Sequence, residues 1–183
     1  MSKVVIAGNA SGTGVYTLEA PNGNTDRTLV LPDEAGTVLT SASPVVLPKG
    51  TYAFRVNTTT AMTNTAYAVV KVPFNLINYD YSNGFNTTNN RFQPDKAGIY
   101  SFSVSIRYSS GFSRFLLHLY KNGAETVSLL DHGAGAYAVN GTGSLYLNGS
   151  TDYVEVYQQT DTTTALQTAS SSTWFTGHLV EAL

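Results

Sequence analysis

Arg91-Phe92-Gln93-Pro94-Asp95-Lys96-Ala97-Gly98-Ile99-Tyr100-Ser101-Phe102-Ser103-Val104-Ser105-Ile106-Arg107 is the stretch on which the reading of the fold depends. From Tyr100 onward large apolar residues alternate with polar ones. Tyr100, Phe102, Val104 and Ile106 fall on one parity, and Ser101, Ser103, Ser105 and Arg107 on the other. A period of two is the signature of a strand with one face in a core and one face outside it. The Gln93-Pro94-Asp95-Lys96 cluster before it punctuates the chain, because Pro cannot join a central ladder and short polar residues favour turns. The stretch therefore predicts strand, turn, strand.

The same grammar extends in both directions. Residues 115–121 lead into Asn122-Gly123, a hairpin signature, and residues 124–130 are expected to pair back. Residues 143–147, 152–159 and 174–183 complete the C-terminal set. Upstream, residues 51–57 read as a strand, as do residues 68–75, with Val70, Val72, Phe74 and Leu76 on one parity. Asn83-Gly84 reads as a turn. No window of helical length carries apolar residues at three- and four-residue spacing. Turn signals recur at spacings that fit a sandwich, jelly roll or barrel. The expected fold class is all-β.

Residues 1–43 differ in texture. Short strand-like pieces at 4–7, 15–20 and 28–31 are separated by Gly, Asn, Ser and Thr, with few large apolar groups. Such a segment cannot easily bury a core of its own and is expected to pack on something else. Ser41-Ala42-Ser43-Pro44 reads as a linker. The expected organisation is an anchoring or assembly arm at 1–43 and a head at 44–183.

Composition narrows the function. Charged residues make up 12% of the chain, about half the usual share of roughly 25%. Ten Lys and Arg against twelve Asp and Glu give a net charge of -2, with no basic run. A nucleic-acid partner or an anionic membrane surface requires a concentrated basic footprint, so neither is expected. With no cysteine, disulfides, thiolate metal sites and a cysteine nucleophile are excluded. No stretch has the length or hydropathy of a membrane-spanning helix. The apolar run at residues 4–7 is too short for a signal-peptide core, so the chain is expected to be made in a cytoplasm. Twelve Tyr exceed eight Phe. Amphipathic rings in that number suit a surface between subunits as well as a core.

With the strands placed, residues 50–183 resemble the C1q globular head within the C1q/TNF superfamily. Five segments carry the resemblance. They are Val72-Pro73-Phe74-Asn75 with Asn78-Tyr79-Asp80; Phe92-Gln93-Pro94 with Ala97-Gly98-Ile99-Tyr100-Ser101-Phe102; Leu119-Tyr120-Lys121-Asn122-Gly123; Gly143-Ser144-Leu145-Tyr146-Leu147 with Asp152-Tyr153-Val154; and Phe175-Thr176-Gly177-His178-Leu179. The family's Gly-Asp pair is Thr151-Asp152 here, and no collagen-like repeat precedes the head. The resemblance implies a ten-stranded jelly-roll sandwich that associates as a homotrimer. Its core signature here would be Phe74, Phe92, Gly98, Leu145, Phe175, Gly177 and Leu179. For the trimer interface the expected residues are Tyr100, Phe102, Tyr157 and Trp174.

Residues 10–40 resemble the short modules of bacteriophage fibre and collar proteins. The matching pieces are Gly14-Val15-Tyr16-Thr17-Leu18-Glu19-Ala20-Pro21 and Thr28-Leu29-Val30-Leu31-Pro32-Asp33, followed by Gly36-Thr37-Val38-Leu39. Arm and head together imply a trimeric protein of the virion surface. The arm would bind other virion proteins of capsid, tail or fibre. The head would bind a host-surface protein or glycan.

The chemistry-bearing residues point away from catalysis. His118, His132 and His178 have no close-spaced partner; two read as strand residues and His132 as a loop residue. Asp152 and Glu155 fall on opposite parities, unlike the paired carboxylates of a glycosidase. Some C1q-like trimers hold calcium, for which Asp80, Asp131, Asp152 and Asp161 are the candidates, although no calcium-loop motif is present. No cofactor is expected. Three readings follow. The first is a fibre- or spike-like adhesin, and the second a capsid decoration or cement protein clamped by its arm. The third, which the sparse carboxylates disfavour, is a depolymerase of host polysaccharide.

Overall fold

The computed structural model describes residues 52–168 and 171–183, together with positions 11–14, 17, 22–24, 26 and 28. Internal packing divides the chain into Met1–Val45 and Val46–Leu183. The strand-like pieces expected at 4–7, 15–20 and 28–31, and the linker, lie almost wholly outside the described residues.

The second unit is all-β among its described residues. Its strands are β1 (Ala53–Asn57), β2 (Thr63–Asn64), β3 (Val70–Lys71), β4 (Leu76–Asp80), β5 (Phe85–Asn86), β6 (Arg91–Phe92), β7 (Ala97–Lys121), β8 (Ala124–Asn148), β9 (Val154–Thr160), β10 (Thr164–Ala165) and β11 (Trp174–Ala182). Nine of them form one sheet. Its path is β4-β1-β11-β7-β9-β6-β5, with β3 on β9 and β8 on β7, while β2 and β10 pair separately.

The long strand β7 folds this sheet into two layers. Its first half pairs with β11, from Gly98 opposite Ala182 to Ser105 opposite Trp174. Its second half pairs with β9, from Phe115 opposite Thr160 to Lys121 opposite Val154. Strand β8 follows β7 throughout, and the register shifts between Arg107 and Phe112, where the strand changes layer. Bulges are the usual device for bending a strand in this way. The serine-rich alternation of residues 99–107 thus ends where the bend begins. The expected gap between residues 130 and 143 is instead continuous strand, and His132 is a β8 residue opposite Phe115 rather than a loop residue.

The core lies between the layers. Phe54 of β1 stacks on Phe92 of β6 at 4.3 Å and meets Phe175 edge-on at 4.9 Å. Tyr100, Phe102, Val104 and Ile106 are all fully buried, as their shared parity requires. Within the signature set, Phe74, Phe92, Leu145 and Phe175 are core residues, and Leu179 packs against them. Gly177 is needed for close approach, because a Cβ there would lie 2.6 Å from Phe102 Cδ1 and 2.7 Å from Phe54 Cε1. Gly98 is also buried, and a Cβ on it would strike the Glu181 carbonyl of β11.

Two turns have a direct cause in sequence. Asn122 and Gly123 have φ of 54° and 80°, and Lys121 pairs with Ala124, as a two-residue hairpin with both central residues left-handed requires. Residues 68–75 do not form the continuous strand expected of them. Only Val70–Lys71 pairs as β3. Pro73 lacks a donor, and the Phe74 N–H turns back to the Val72 carbonyl at 3.0 Å, a three-residue turn. Val72 and Phe74 still enter the core, but Leu76 passes to the exposed strand β4.

Candidate functional site

Most charged groups of the head are occupied in holding it together. Asp152 is nearly buried and precedes β9. Its carboxylate accepts from Lys121 Nζ at 2.7 Å, Asn122 Nδ2 at 2.7 Å and Asn148 N at 3.0 Å. Burial pushes its pKa up, but those donors outweigh it and hold the carboxyl below the usual aspartate range. Glu155 is nearly buried too and pairs with Lys71 at 3.0 Å. The two acids, which the sequence places close together, therefore each have their own lysine. His118 Nδ1 lies 3.1 Å from Glu125 Oε1.

The calcium candidates are similarly engaged. Asp80 Oδ2 accepts from Phe85 N at 2.8 Å, and its Oδ1 from Ser82, which fixes the turn after β4. Asp131 forms a two-bond pair with Arg114 at 3.1 and 2.9 Å. Asp161 accepts from Ser113 N at 3.0 Å. No group of three or more His, Asp or Glu comes together to hold a metal among the described residues. The carboxylates do not fit a calcium cage within one chain.

The four residues expected at the trimer interface separate into two kinds. Tyr100 and Phe102 are fully buried inside the chain. They have no surface to give a neighbour, and that part of the expectation is corrected. The strand was read correctly but its aromatic face is the core face. Tyr157 and Trp174 are partly exposed, on different layers. Tyr157 stacks on Tyr120 at 4.1 Å. Its pKa is raised, by burial first and by neighbouring Glu155 second. Trp174 carries the Arg55 guanidinium over its ring at 4.6 Å.

Trp174 and Arg55 begin a band across the outer side of the first layer. Arg55 sits opposite Tyr79 on β4. Tyr79 stacks on Tyr81 at 5.5 Å and contacts the Thr176 hydroxyl at 3.5 Å. Leu76 and Ile77 on the same edge strand are 42% and 43% exposed, and Tyr81 is 64% exposed. An edge strand carrying so many large side chains is an association surface unless it is covered. Little in the sequence pointed to this band. Residues 78–80 stood out for their resemblance, and nothing distinguished their exposed face.

Two grooves lie at opposite ends of the first layer. One encloses about 470 Å³ and is lined by Asn83, Asn86, Arg91, Gln93, Asp95 and Ser150. Arg91 is engaged there, over the Tyr153 ring at 4.3 Å and 3.3 Å from Gln93 Oε1. Two backbone bonds close the sheet at this end. Leu179 N bonds the Tyr52 carbonyl at 2.9 Å, and Leu183 N the Ala97 carbonyl at 3.1 Å. The other groove encloses about 360 Å³ and is lined by Arg107, Ser109, Tyr137, Gln167 and Ser171 among others. It lies roughly 30 Å away, along a strand that rises about 3.3 Å per residue.

A two-layer antiparallel sandwich with this crossing pattern is a jelly roll of the C1q/TNF type. A family model for the C1q domain matches residues 53–180. The chain belongs to the C1q domain family. Similar solved structures include murine APRIL, at 12% identity and a TM-score of 0.54 over 70% of this chain and 98% of that one. The globular domain of zebrafish complement 1qA is 18% identical, with a TM-score of 0.50 over 72% and 99%. Vertex protein P5 of phage PRD1 is 14% identical, with a TM-score of 0.52 over 70% and 73%. At these identities the likeness is one of fold. No curated protein sequence matches.

Proposed function

We propose that the chain is a non-enzymatic, homotrimeric surface protein of a bacteriophage virion, attached through residues 1–43 and binding a host-surface ligand through its head. The observation that carries the reading is the exposed Tyr81–Tyr79–Arg55–Trp174 band, with Leu76 and Ile77 beside it. Left bare it exposes apolar surface of the kind that marks a subunit contact, and three copies around an axis would each cover it with a second patch of the next chain. The virion setting rests on the resemblance of residues 10–40 to phage fibre modules, and a phage vertex protein shares the head's fold. The non-enzymatic reading rests on the ion pairs described above, which use both nearly buried acids for structure. Three weak head sites on one trimer would add their grip by avidity.

Fluorescently labelled full-length protein is expected to coat host bacteria and to compete with adsorption of the parent phage. Protein that coats no host cell and leaves adsorption unchanged would contradict the adhesin reading. If it still bound purified particles through residues 1–43, the decoration reading would replace it.

A further inference from the structure

We propose that the groove around Arg107 and Tyr137 is a subsite for a carboxylate-bearing sugar, in which Arg107 grips the carboxylate and Tyr137 supports the ring. The inference deepens the host-ligand reading and rests on it. Its starting point is the groove itself, which lies at the end of the first layer opposite to the one where Tyr52 and Leu183 bond β11 and β7.

The second ground is the state of the guanidinium. Arg107 is exposed and makes no ion pair or side-chain hydrogen bond among the described residues. Arg114, at the same end, is neutralised by Asp131, and Arg55 and Arg91 are each spread over an aromatic ring. Arg107 faces Ala138 across the β7–β8 ladder, and a methyl group leaves its fork uncovered. An unpaired guanidinium in a groove is suited to two parallel hydrogen bonds to a carboxylate.

The remaining lining sets the rest of the ligand's chemistry. Ser109, Ser171 and Gln167 offer hydroxyls and an amide, with no other charge among the described lining residues. Tyr137 is 55% exposed and presents an amphipathic ring, a contact surface of low ordering cost. Hydroxyls, an amide, one ring and one cation together suit a polyhydroxylated acid better than an apolar ligand or a peptide. The volume of about 360 Å³ falls within the roughly 300–1,000 Å³ of small-molecule clefts.

The backbone of the groove is fixed before any ligand arrives. Thr173 is fully buried. Its hydroxyl donates to the Gln167 carbonyl at 2.7 Å and accepts from Arg107 N at 3.3 Å. Gln167 N donates back to the Arg107 carbonyl at 2.8 Å, and Tyr108 bridges to Leu166. Ser105 Oγ donates to the Ser172 carbonyl at 2.9 Å. A pre-set frame lowers the ordering cost of binding.

The test is titration of the full-length protein with glucuronate, galacturonate and N-acetylneuraminate, each against its neutral counterpart, followed by NMR. At least one acid is expected to shift the Arg107 and Tyr137 signals, and its neutral counterpart to bind at least tenfold more weakly. Arg107→Gln should abolish that preference, Arg107→Lys should retain part of it, and Arg114→Gln should leave it intact, all with unchanged thermal melts. Binding of none of the three acids, equal binding of acid and neutral sugar, or an undiminished preference in Arg107→Gln would overturn the assignment. Host-cell coating separates the two levels. Arg107→Gln protein that coats cells as well as wild type removes only this subsite, whereas wild-type protein that coats none removes the broader reading.

Discussion

At the residue scale, a large aromatic side chain does opposite work according to which side of a strand it occupies. Phe102 and Trp174 both come from the first layer, yet one is fully buried and the other partly exposed. Phe102→Ala is expected to cost about 3–5 kcal/mol, as large-to-small core changes do, seen as a lower urea midpoint. Trp174→Ala should change that midpoint far less and act instead on association. Gly177→Ala places a methyl group against two phenyl rings and should cost about 1–3 kcal/mol or more by overpacking. Asp152 sets a pH dependence. Its folded pKa is depressed below the unfolded value of about 3.9. The stabilisation is therefore complete above that value and is lost as pH falls through the folded one. Melting temperatures of wild type and Asp152→Asn should differ at pH 7 and converge in acid; a constant gap would contradict the assignment.

At the element scale, legibility followed the strength of the local signal. The alternation of residues 99–107 and the Asn122-Gly123 turn state their conformation directly, one by period and the other by left-handed φ. Residues 68–75 misled because parity alone cannot report a missing donor, and Pro73 ended the ladder that the apolar pattern suggested. The second half of β8 was only partly legible. Residues 131–142 fall between the two strands expected at 124–130 and 143–147, but pairing along β7 makes them strand. The same limit hid the candidate site. Arg107 stood out as the outer end of a serine stripe, whereas Tyr137, Gln167 and Ser171 reach its groove from distant segments. Thr173 ties those segments together, so Thr173→Val should speed hydrogen exchange at Gln167 and Arg107 and cost about 1–3 kcal/mol for the orphaned buried groups. Unchanged exchange there would show that the frame is held by other contacts.

At the scale of the whole molecule, a low-charge jelly roll carries a partly exposed aromatic band, which the proposed trimer would cover. The all-β class was readable from strand spacing, and the jelly roll from the resemblance that five dispersed motifs carry. The contact surface was not, because a stripe of large residues in one sequence looks the same whether it faces a core or a neighbour. An interface made by such a band, in a chain with 12% charged residues, should be little affected by salt, since screening acts on charges. The native mass of the full-length protein by light scattering tests the central claim most directly. The result expected is the mass of three 19.6 kDa chains, unchanged in high salt and reduced to one chain by Trp174→Glu with Tyr79→Ser while the β-sheet spectrum persists. A wild-type mass of a single chain at every concentration would contradict the account.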